Sequence, residues 1–495
     1  MAAAGGVNYT VLLTERGGLL CFGNNLSGQL GRGDFEDHFL PALLGGVGPV
    51  VGDALEELPG SDAMRAARAL DIGPWEQRAA EQIVAEPRPF GGEALVAVAA
   101  GVRHTVCVTD GGAVYAAGYN RHGQLGLHNL AHHTLFTRVP LADVQMVACG
   151  YEHTLALTRT GAVWEWGSGA RGQNGRVWVP NQSRPVHVAA LNGIAMVAAG
   201  RFHNVAVGAD GRVWTWGYSH QGALGHDDTD EVPFPVPRVL DPPAFGGDAV
   251  LFVAAGDAYT AAVTVHGALW MWGAGNDGQL GLGDRADRRV PVRITDAGPP
   301  PAWGGSPVHM VSCCGGHDGD YFSMTLAVTK DGAVWSWGTS SAGALGHGRT
   351  IPGEMDRRVT PTRIPQAAFH GAHIVLVSAG YGGASVAVCK HGLVYVWGRG
   401  ALGTAANPEY SDVPRPLPAS VFPGARCARG GGLSRQHMVI FMQGLHARLG
   451  AQCVYHDINN DVITRVAEQG CVLNEPYKDM HEGLRRLLAV ELRET

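Results

Sequence analysis

Histidine suits proton transfer and metal binding near neutral pH, and in this chain it recurs at one position of a repeated phrase. His104, His153 and His203 each stand three residues after a glycine. A metal site would need the three imidazoles to converge on one point. Because they belong to successive copies of the phrase, about fifty residues apart, we predict that each satisfies backbone groups in its own copy.

A short acidic stretch is the second candidate for chemistry. His317, Asp318 and Asp320 lie close together where a later copy of the phrase is interrupted. A single acidic pair lacks the full set of oxygen ligands that calcium requires. The chain also has no motif that pairs a nucleophile with a base, no phosphate-binding loop and no paired carboxylates. These residues therefore predict no metal or other cofactor, and no enzyme of covalent chemistry.

A Trp-Gly pair, or its equivalent, marks each copy of the phrase. Successive glycines of the pair are 95, 49, 50, 56, 65 and 60 residues apart. A basic period of about fifty residues is typical of propellers and solenoids. The first interval is long enough to contain an insertion. The seven copies are at Phe22-Gly23, Ala117-Gly118, Trp166-Gly167, Trp216-Gly217, Trp272-Gly273, Trp337-Gly338 and Trp397-Gly398.

Within each copy the local pattern is that of an antiparallel hairpin. In the segment 162–166, large apolar residues alternate with small or polar ones, as in a half-buried strand. Thr160-Gly161 comes before it and can supply the positive φ of a tight turn. A glycine-rich turn, Gly118 to Gly126 in the second copy, follows the equivalent strand. Because such a repeat cannot bury its sheet faces alone, we predict an all-β fold, a seven-bladed β-propeller of four-stranded antiparallel blades.

Three short motifs recur in a fixed order and resemble a known family. They are Ala-Ala-Gly-Val-Arg-His-Thr at 99–105 with its equivalents, Gly-x-Val-Trp-x-Trp-Gly, and Gly-Gln-Leu-Gly. Over residues 2–443 the chain resembles the regulator of chromosome condensation repeat. The resemblance implies a seven-bladed propeller, usually closed by strands from both chain ends. A propeller of WD repeats is the alternative fold, but it would place Trp-Asp where this chain has Trp-Gly.

We predict one principal domain with two additions. The propeller covers residues 1–443, and a partial eighth copy at Cys427 to Gln443 leaves open which strand closes the ring. Residues 45–92 have apolar residues at helical spacing and indicate a helical insertion in blade one. That insertion would either pack on the propeller surface or dock a partner. Residues 444–495 are expected to form a short C-terminal extension that is partly helical.

Charge and cysteine content narrow the classes of partner and compartment. The formal net charge is -7 and no run of Lys or Arg is present, so we expect no direct binding of nucleic acid. Nine cysteines without a Cys-x-x-Cys pair are typical of buried residues in a reducing compartment, which favours cytoplasm or nucleus. The apolar run Val7 to Leu13 is too short to span a membrane. We expect a monomer without membrane contact.

The resemblance implies two functions. One is a non-catalytic protein-interaction scaffold or adaptor, of the kind fused to ubiquitin ligases. The alternative is a guanine-nucleotide exchange factor for a Ran-like small GTPase. A plant ultraviolet-B photoreceptor of the same family carries Gly-Trp-Arg-His-Thr motifs, but here Val102, Tyr151 and Arg201 occupy the tryptophan position. Light reception is therefore disfavoured.

We predict that binding occurs at one face of the ring. The residues between the repeated glycine and His-Thr vary, and they fall in equivalent loops. Their mixture of Tyr, Phe and Arg is typical of protein-interface hot spots, although ordinary loop variation would explain it equally well. Charge reversal of Arg103 and Arg201 together should weaken partner capture and leave folding intact. The candidate residues are Arg103, Tyr151, Glu152, Arg201, Phe202, Asp257, Tyr259, His317, Asp318, Tyr321, Phe322 and Tyr381.

Overall fold

Seven four-stranded antiparallel sheets are present in the part of the chain that the structure describes. In this computed structural model the described residues are 2–6, 9–13, 17–44, 90–175, 181–229, 232–294, 303–315, 323–340, 343–348, 355–380, 383–399 and 410–417. All belong to the first of two units, Met1–His437, and the second unit, Met438–Thr495, lies outside them. The predicted helical insertion (before Phe90), the eighth copy and the helical extension lie outside the described residues too.

Each sheet consists of four strands that are consecutive in the sequence, as expected for the blades of a propeller. Blades one to three comprise β1 (Ala2–Gly6), β2 (Tyr9–Leu13), β3 (Leu19–Gly23), β4 (His38–Leu44), β5 (Leu95–Ala100), β6 (His104–Thr109), β7 (Val114–Gly118), β8 (His133–Val139), β9 (Val144–Cys149), β10 (His153–Thr158), β11 (Val163–Ser168) and β12 (Asn181–His187).

Blades four to seven follow the same plan. They comprise β13 (Ile194–Ala199), β14 (His203–Gly208), β15 (Val213–Tyr218), β16 (Pro233–Leu240), β17 (Val250–Ala255), β18 (Tyr259–Thr264), β19 (Leu269–Gly273), β20 (Arg288–Arg293), β21 (Val308–Cys314), β22 (Met324–Thr329), β23 (Val334–Ser340), β24 (Asp356–Arg363), β25 (Ile374–Ala379), β26 (Ala384–Cys389), β27 (Val394–Arg399) and β28 (Tyr410–Pro416). The predicted all-β propeller of four-stranded antiparallel blades is confirmed.

The hairpin between the second and third strands forms where the sequence predicts it. Gly161, Gly211 and Gly332 have φ values of 81°, 81° and 79° at the turns of three blades. Glycine adopts this left-handed conformation without the steric cost that a Cβ would bring. The second strand that ends in each turn is buried along its whole length in β10, β14 and β22.

Tryptophan side chains fill the seams between adjacent blades. Trp272 of blade five is fully buried and packs in one cluster with Val205, Val207 and Val213 of blade four. Removing an aromatic side chain of this size from water stabilises the fold by roughly 3 kcal/mol. The hydrophobic core therefore lies between blades, so each blade depends on its neighbours.

Blade one completes the ring against blade seven. Leu12, Leu20 and Phe22 share a buried cluster with Val386 and Val396. The expectation that both chain ends contribute strands to one blade is not met among the described residues, because all four strands of blade one come from the N-terminal segment. The described helices are three short 3-10 turns, at His220–Gly222, Pro242–Phe245 and Gln366–Phe369. No helix of the described chain has the length and hydropathy to cross a membrane.

Candidate functional site

Two loops of every blade lie at the same end of its sheet, because in an antiparallel sheet the first-to-second and third-to-fourth connections share one end. A backbone hydrogen bond joins these loops. Tyr119 N–H donates to Arg103 O at 2.8 Å in blade two, and Ser168 N–H donates to Glu152 O at 2.8 Å in blade three. We call this end of the ring the loop face. In blades two to five it consists of residues 101–103, 119–122, 150–152, 168–171, 200–202, 218–221, 256–258 and 274–277.

The histidines of the repeated phrase are structural, as predicted, but they bond to the next blade and not to backbone groups of their own. His104 Nε2 lies 3.1 Å from Thr154 Oγ1, which donates its own proton to Gln124 O at 2.9 Å. His203 Nε2 lies 3.0 Å from Thr260 Oγ1 in the equivalent seam. Because each hydroxyl uses its proton on a carbonyl, the imidazole N–H is the donor to the hydroxyl oxygen.

The same contact in the seam between blades three and four uses an amide. His153 Nε2 lies 2.7 Å from Asn204 Oδ1, and Asn204 Nδ2 donates to Gln173 O at 2.7 Å. Burial lowers the pKa of His104 and His203 to about 3 and that of His153 to about 4. The three imidazoles are therefore neutral at physiological pH and join blades without carrying charge.

Tyrosine replaces histidine at this position in two blades, and one of the two corrects a prediction. Tyr259 is completely buried, donates its hydroxyl proton to Met324 O at 2.5 Å and accepts from Cys314 N–H at 3.1 Å. Tyr9 donates to His104 O at 2.7 Å in the same manner. The inclusion of Tyr259 among surface contacts is wrong, because the residue takes the buried place of histidine. We call these histidines and tyrosines the inner layer.

Glycine begins each of these loops because successive loops touch at that point. A Cβ placed on Gly150 would lie 2.5 Å from Gly200 O, and one on Gly200 would lie 2.6 Å from Gly256 O. Contacts this short would force the loops apart. The repeated glycine therefore permits loops of neighbouring blades to stack, which brings the variable side chains beside one another.

Arg201 is the centre of a second layer, nearer to solvent. Its guanidinium carbon lies 4.7 Å from the ring centroid of Tyr151 and 5.0 Å from that of Phe202. Its Nη1 lies 3.3 Å from Asp257 Oδ2. Because the cation lies against two rings and is paired with a carboxylate, its position is fixed and its charge is largely compensated. Three blades contribute to this contact.

Arg171 extends the layer through the neighbouring turn. Its guanidinium carbon lies 4.6 Å from the ring centroid of Tyr218 and 5.7 Å from that of Phe202. His220 stacks on Tyr218 with ring centroids 5.8 Å apart and an interplanar angle of 7°. Arg171 is exposed, and it has no ion pair among the described residues. We call the side chains of Tyr151, Arg171, Arg201, Phe202 and Tyr218 the outer layer.

The other predicted residues of blades two and three flank this layer. Glu152 Oε2 lies 3.3 Å from His122 Nε2 across the seam, with both side chains partly exposed. Arg103 is exposed beside it. Tyr119 contacts His132 edge to face, with ring centroids 4.7 Å apart. The predicted clustering on one side thus holds for Arg103, Tyr151, Glu152, Arg201, Phe202 and Asp257.

Five predicted residues belong to loops that the structure leaves undescribed. They are His317, Asp318, Tyr321, Phe322 and Tyr381. Elsewhere in the described chain, no three His, Cys, Asp or Glu side chains gather in a way that could hold a metal ion.

Sequence reasoning missed the contribution of the second loop of each blade. Arg171 and Tyr218 lie in the glycine-rich turns, and neither is among the residues that the sequence predicts to contact a partner. Their signal was present: the residues between the fixed glycines vary as widely as those before His-Thr. Since both loops share one end of the blade, variation in either contributes to the same surface.

The chain matches two family models, both of the same repeat. The model of the regulator of chromosome condensation (RCC1) repeat matches residues 111–157, 160–207, 210–263, 266–318 and 331–386, together more than half of the chain. A second model of the same repeat matches residues 95–124, 144–173 and 194–223.

Individual proteins with similar sequences or structures differ widely in length. The ultraviolet-B receptor UVR8 of Arabidopsis thaliana is 33% identical over 334 residues, 66% of this chain and 69% of that protein. The E3 ubiquitin-protein ligase HERC2 of Homo sapiens is 37% identical over 183 residues, 36% of this chain but 3% of that protein. The crystal structure of Prp20p from Saccharomyces cerevisiae superposes with a TM-score of 0.58 at 22% identity, covering 78% of this chain and 81% of that one.

Proposed function

This chain belongs to the regulator of chromosome condensation (RCC1) repeat family, and from that premise we propose that it is a non-catalytic protein-interaction propeller, a binding scaffold or adaptor. The observation that carries the proposal is the outer layer. There, two guanidinium groups are interleaved with three aromatic rings across blades three and four of the loop face.

Two physical properties of this layer suit a protein partner. Tyrosine, phenylalanine and arginine supply large contact area and are enriched among the residues that dominate binding energy. Their stacking on one another also fixes their rotamers before a partner arrives, which lowers the entropy cost of association. The rigid ring beneath, held by the inner layer, maintains the spacing between loops.

Exchange of nucleotide on a Ran-like small GTPase is our alternative proposal. Prp20p was described together with its binding to Gsp1p and histones, and at 22% identity the likeness supports a common fold. UVR8 is a light receptor, but the loop positions occupied by Val102, Tyr151 and Arg201 hold no tryptophan in this chain. The capture experiment described next therefore tests nucleotide exchange, and not light reception, as the alternative to a scaffold.

Capture of proteins from a host lysate tests the scaffold proposal. The full chain is immobilised as wild type, as the loop-face variant Arg171→Glu with Phe202→Ala, and as the control Arg212→Glu. Arg212 is an exposed arginine in the hairpin turn at the opposite end of blade four. We expect wild type and control to capture the same proteins and the loop-face variant to lose them, with unchanged circular dichroism. Equal capture by all three chains would refute binding through the loop face.

The same capture, done with EDTA and with excess GTP and magnesium, separates the two functions. An exchange factor holds the nucleotide-free GTPase most tightly, because exchange requires stabilisation of that state. A small GTPase enriched by EDTA alone would establish the alternative. Partners captured equally under both conditions support the scaffold.

We also propose a monomer in cytoplasm or nucleus, with no membrane association. The cysteine content supports the compartment, and the apolar run Val7 to Leu13, which is too short to span a membrane, supports the absence of membrane association. Light scattering of the purified chain and fractionation of host cells are the corresponding measurements. A stable dimer or a membrane-bound pool would contradict it.

A further inference from the structure

We propose that the loop face of blades two to four binds an acidic linear segment of a protein partner, whose side-chain carboxylates pair with Arg171, Arg121 and Arg103. This inference rests on the proposed function and specifies the chemistry of the partner. It follows from which charges on the loop face are already paired and which are not.

Arg171 has the geometry of a prepared carboxylate receptor. Its guanidinium carbon lies 4.6 Å from the ring centroid of Tyr218 and 5.7 Å from that of Phe202. A guanidinium that contacts rings through its face keeps N–H groups at its edge, and two of these can bind both oxygens of one carboxylate. The side chain is exposed, and its guanidinium forms no hydrogen bond within the described chain.

Arg201 differs from Arg171 in this respect, although both stack on Phe202. Asp257 Oδ2 lies 3.3 Å from Arg201 Nη1, and the arginine is 26% exposed. The charge of Arg201 is therefore paired with a carboxylate of the protein itself. Arg171 has no such internal carboxylate and can pair with one from a partner.

Two further cations extend the receptor into blade two. Arg103 and Arg121 are exposed on adjacent loops, which are joined by the bond between Tyr119 N–H and Arg103 O at 2.8 Å. Neither has an ion pair with another described residue. The nearby acid, Glu152, lies 3.3 Å from His122. This sector of the loop face thus carries three unpaired guanidinium groups, although the chain as a whole has a formal charge of -7.

Several cations without ion pairs on nearby loops favour a partner that carries several closely spaced anions. An extended peptide places alternate side chains on one side at intervals of roughly 7 Å, which suits pairing with successive loops of a propeller. A nucleic acid fits less well. Phe202 already has two guanidinium groups within 5.7 Å of its centroid, so few ring faces remain for stacking with bases.

Selection from a phage library of random twelve-residue peptides tests this proposal with the full chain as target. Binders are selected on wild type and depleted on Arg171→Ala. We expect the enriched sequences to contain two or more Asp or Glu residues. Enrichment of sequences without acidic residues would overturn the proposal.

Fluorescence anisotropy of the most enriched peptide then measures the contribution of each charge. Arg171→Ala should weaken binding at least about tenfold, and Arg171→Lys several-fold, because an ammonium lacks the two-pronged geometry. The control Arg212→Ala should bind as wild type does. Conversion of the peptide's Asp and Glu to Asn and Gln should abolish binding. Equal affinities of wild type and Arg171→Ala for the acidic peptide would contradict the proposal.

Two competing ligands complete the test. A phosphoserine version of the peptide that binds more than about tenfold tighter, or a twelve-nucleotide oligouridine that binds tighter than any peptide, would overturn the assignment to carboxylates. Failure here is distinguishable from failure of the proposed function. Apolar peptides that lose binding on Phe202→Ala would overturn the acidic partner and leave the loop face as a protein-binding surface.

Discussion

The inner and outer layers of the loop face are neighbours in sequence and opposites in environment. His153 is buried and neutral, whereas Glu152, one residue earlier, is partly exposed and lies beside His122. His203 bonds across a seam, whereas Phe202 stacks under two guanidinium groups nearer to solvent. One peptide bond therefore separates a residue that assembles the ring from one that is available to a partner.

A repeat can thereby hold its fold constant and vary its surface. An inner-layer side chain must reach a fixed acceptor on the next blade, and an unmet polar group there is costly. The outer-layer side chains other than Tyr151, which is buried, have solvent on one side and can change without that cost. We therefore expect substitutions in the inner layer to change stability and those in the outer layer to change binding.

Acid should break the inner layer first, with the largest effect. Burial holds the pKa of His104, His153 and His203 at about 3 to 4 in the folded chain, whereas the unfolded chain takes up protons below about 6.5. The stabilising effect of keeping them neutral is present above pH 6.5 and is lost as pH falls toward the folded pKa. Between pH 6.5 and 5 the free energy of unfolding should fall by roughly 2 kcal/mol per histidine.

Urea denaturation at pH 7.5 and pH 5 measures this loss. His203→Gln removes one of the three contributions and should flatten the pH dependence by about a third. Equal stability of the wild type at the two pH values would show that the histidines do not stay neutral.

His153→Ala should lower the free energy of unfolding by roughly 3 kcal/mol at pH 7.5, since it leaves a cavity and removes the donor to buried Asn204 Oδ1. His153→Gln can restore a donor and should recover part of the loss. Any captured partner should still bind to the folded fraction. A His153 variant that is as stable as the wild type but does not bind the partner would contradict the division into a stabilising inner layer and a binding outer layer.

Arg201→Ala lies between the two extremes. It removes a cation that contacts Tyr151, Phe202 and Asp257, so we expect a loss of about 1 kcal/mol in stability together with weakened capture. Charge reversal at this position would bring a second carboxylate beside Asp257. For that reason the loop-face variant changes Arg171 and leaves Arg201 as it is. A thermal shift and a capture assay on one preparation give both values.

Arg171→Ala should change stability least, by less than about 0.5 kcal/mol, because the side chain is exposed and forms no ion pair among the described residues. Its effect on capture should nevertheless exceed that of Arg201→Ala. A loss of stability larger than that of His153→Ala would place Arg171 among the structural residues.

Prediction from sequence succeeded where the chemistry is local and repeated. Thr160-Gly161 predicted its hairpin because few residues other than glycine adopt a positive φ, and the seven Trp-Gly pairs or their equivalents marked the seven blades. It failed at Tyr259, which was counted among exposed residues although it occupies the histidine position. The sequence alone does not show whether the hydroxyl of a loop tyrosine is hydrogen-bonded to solvent or to a buried carbonyl.

The repeat period, the strands and the turn glycines follow from the sequence alone, because backbone conformation and alternating burial are properties of short segments. The contacts of His104 with Thr154 and of Arg171 with Phe202 are visible only in the folded structure. These two contacts join residues of different blades, about 30 to 50 positions apart, and depend on the angle at which blades stack. No pattern within one repeat contains that angle, because it arises from the packing of whole sheets around the ring.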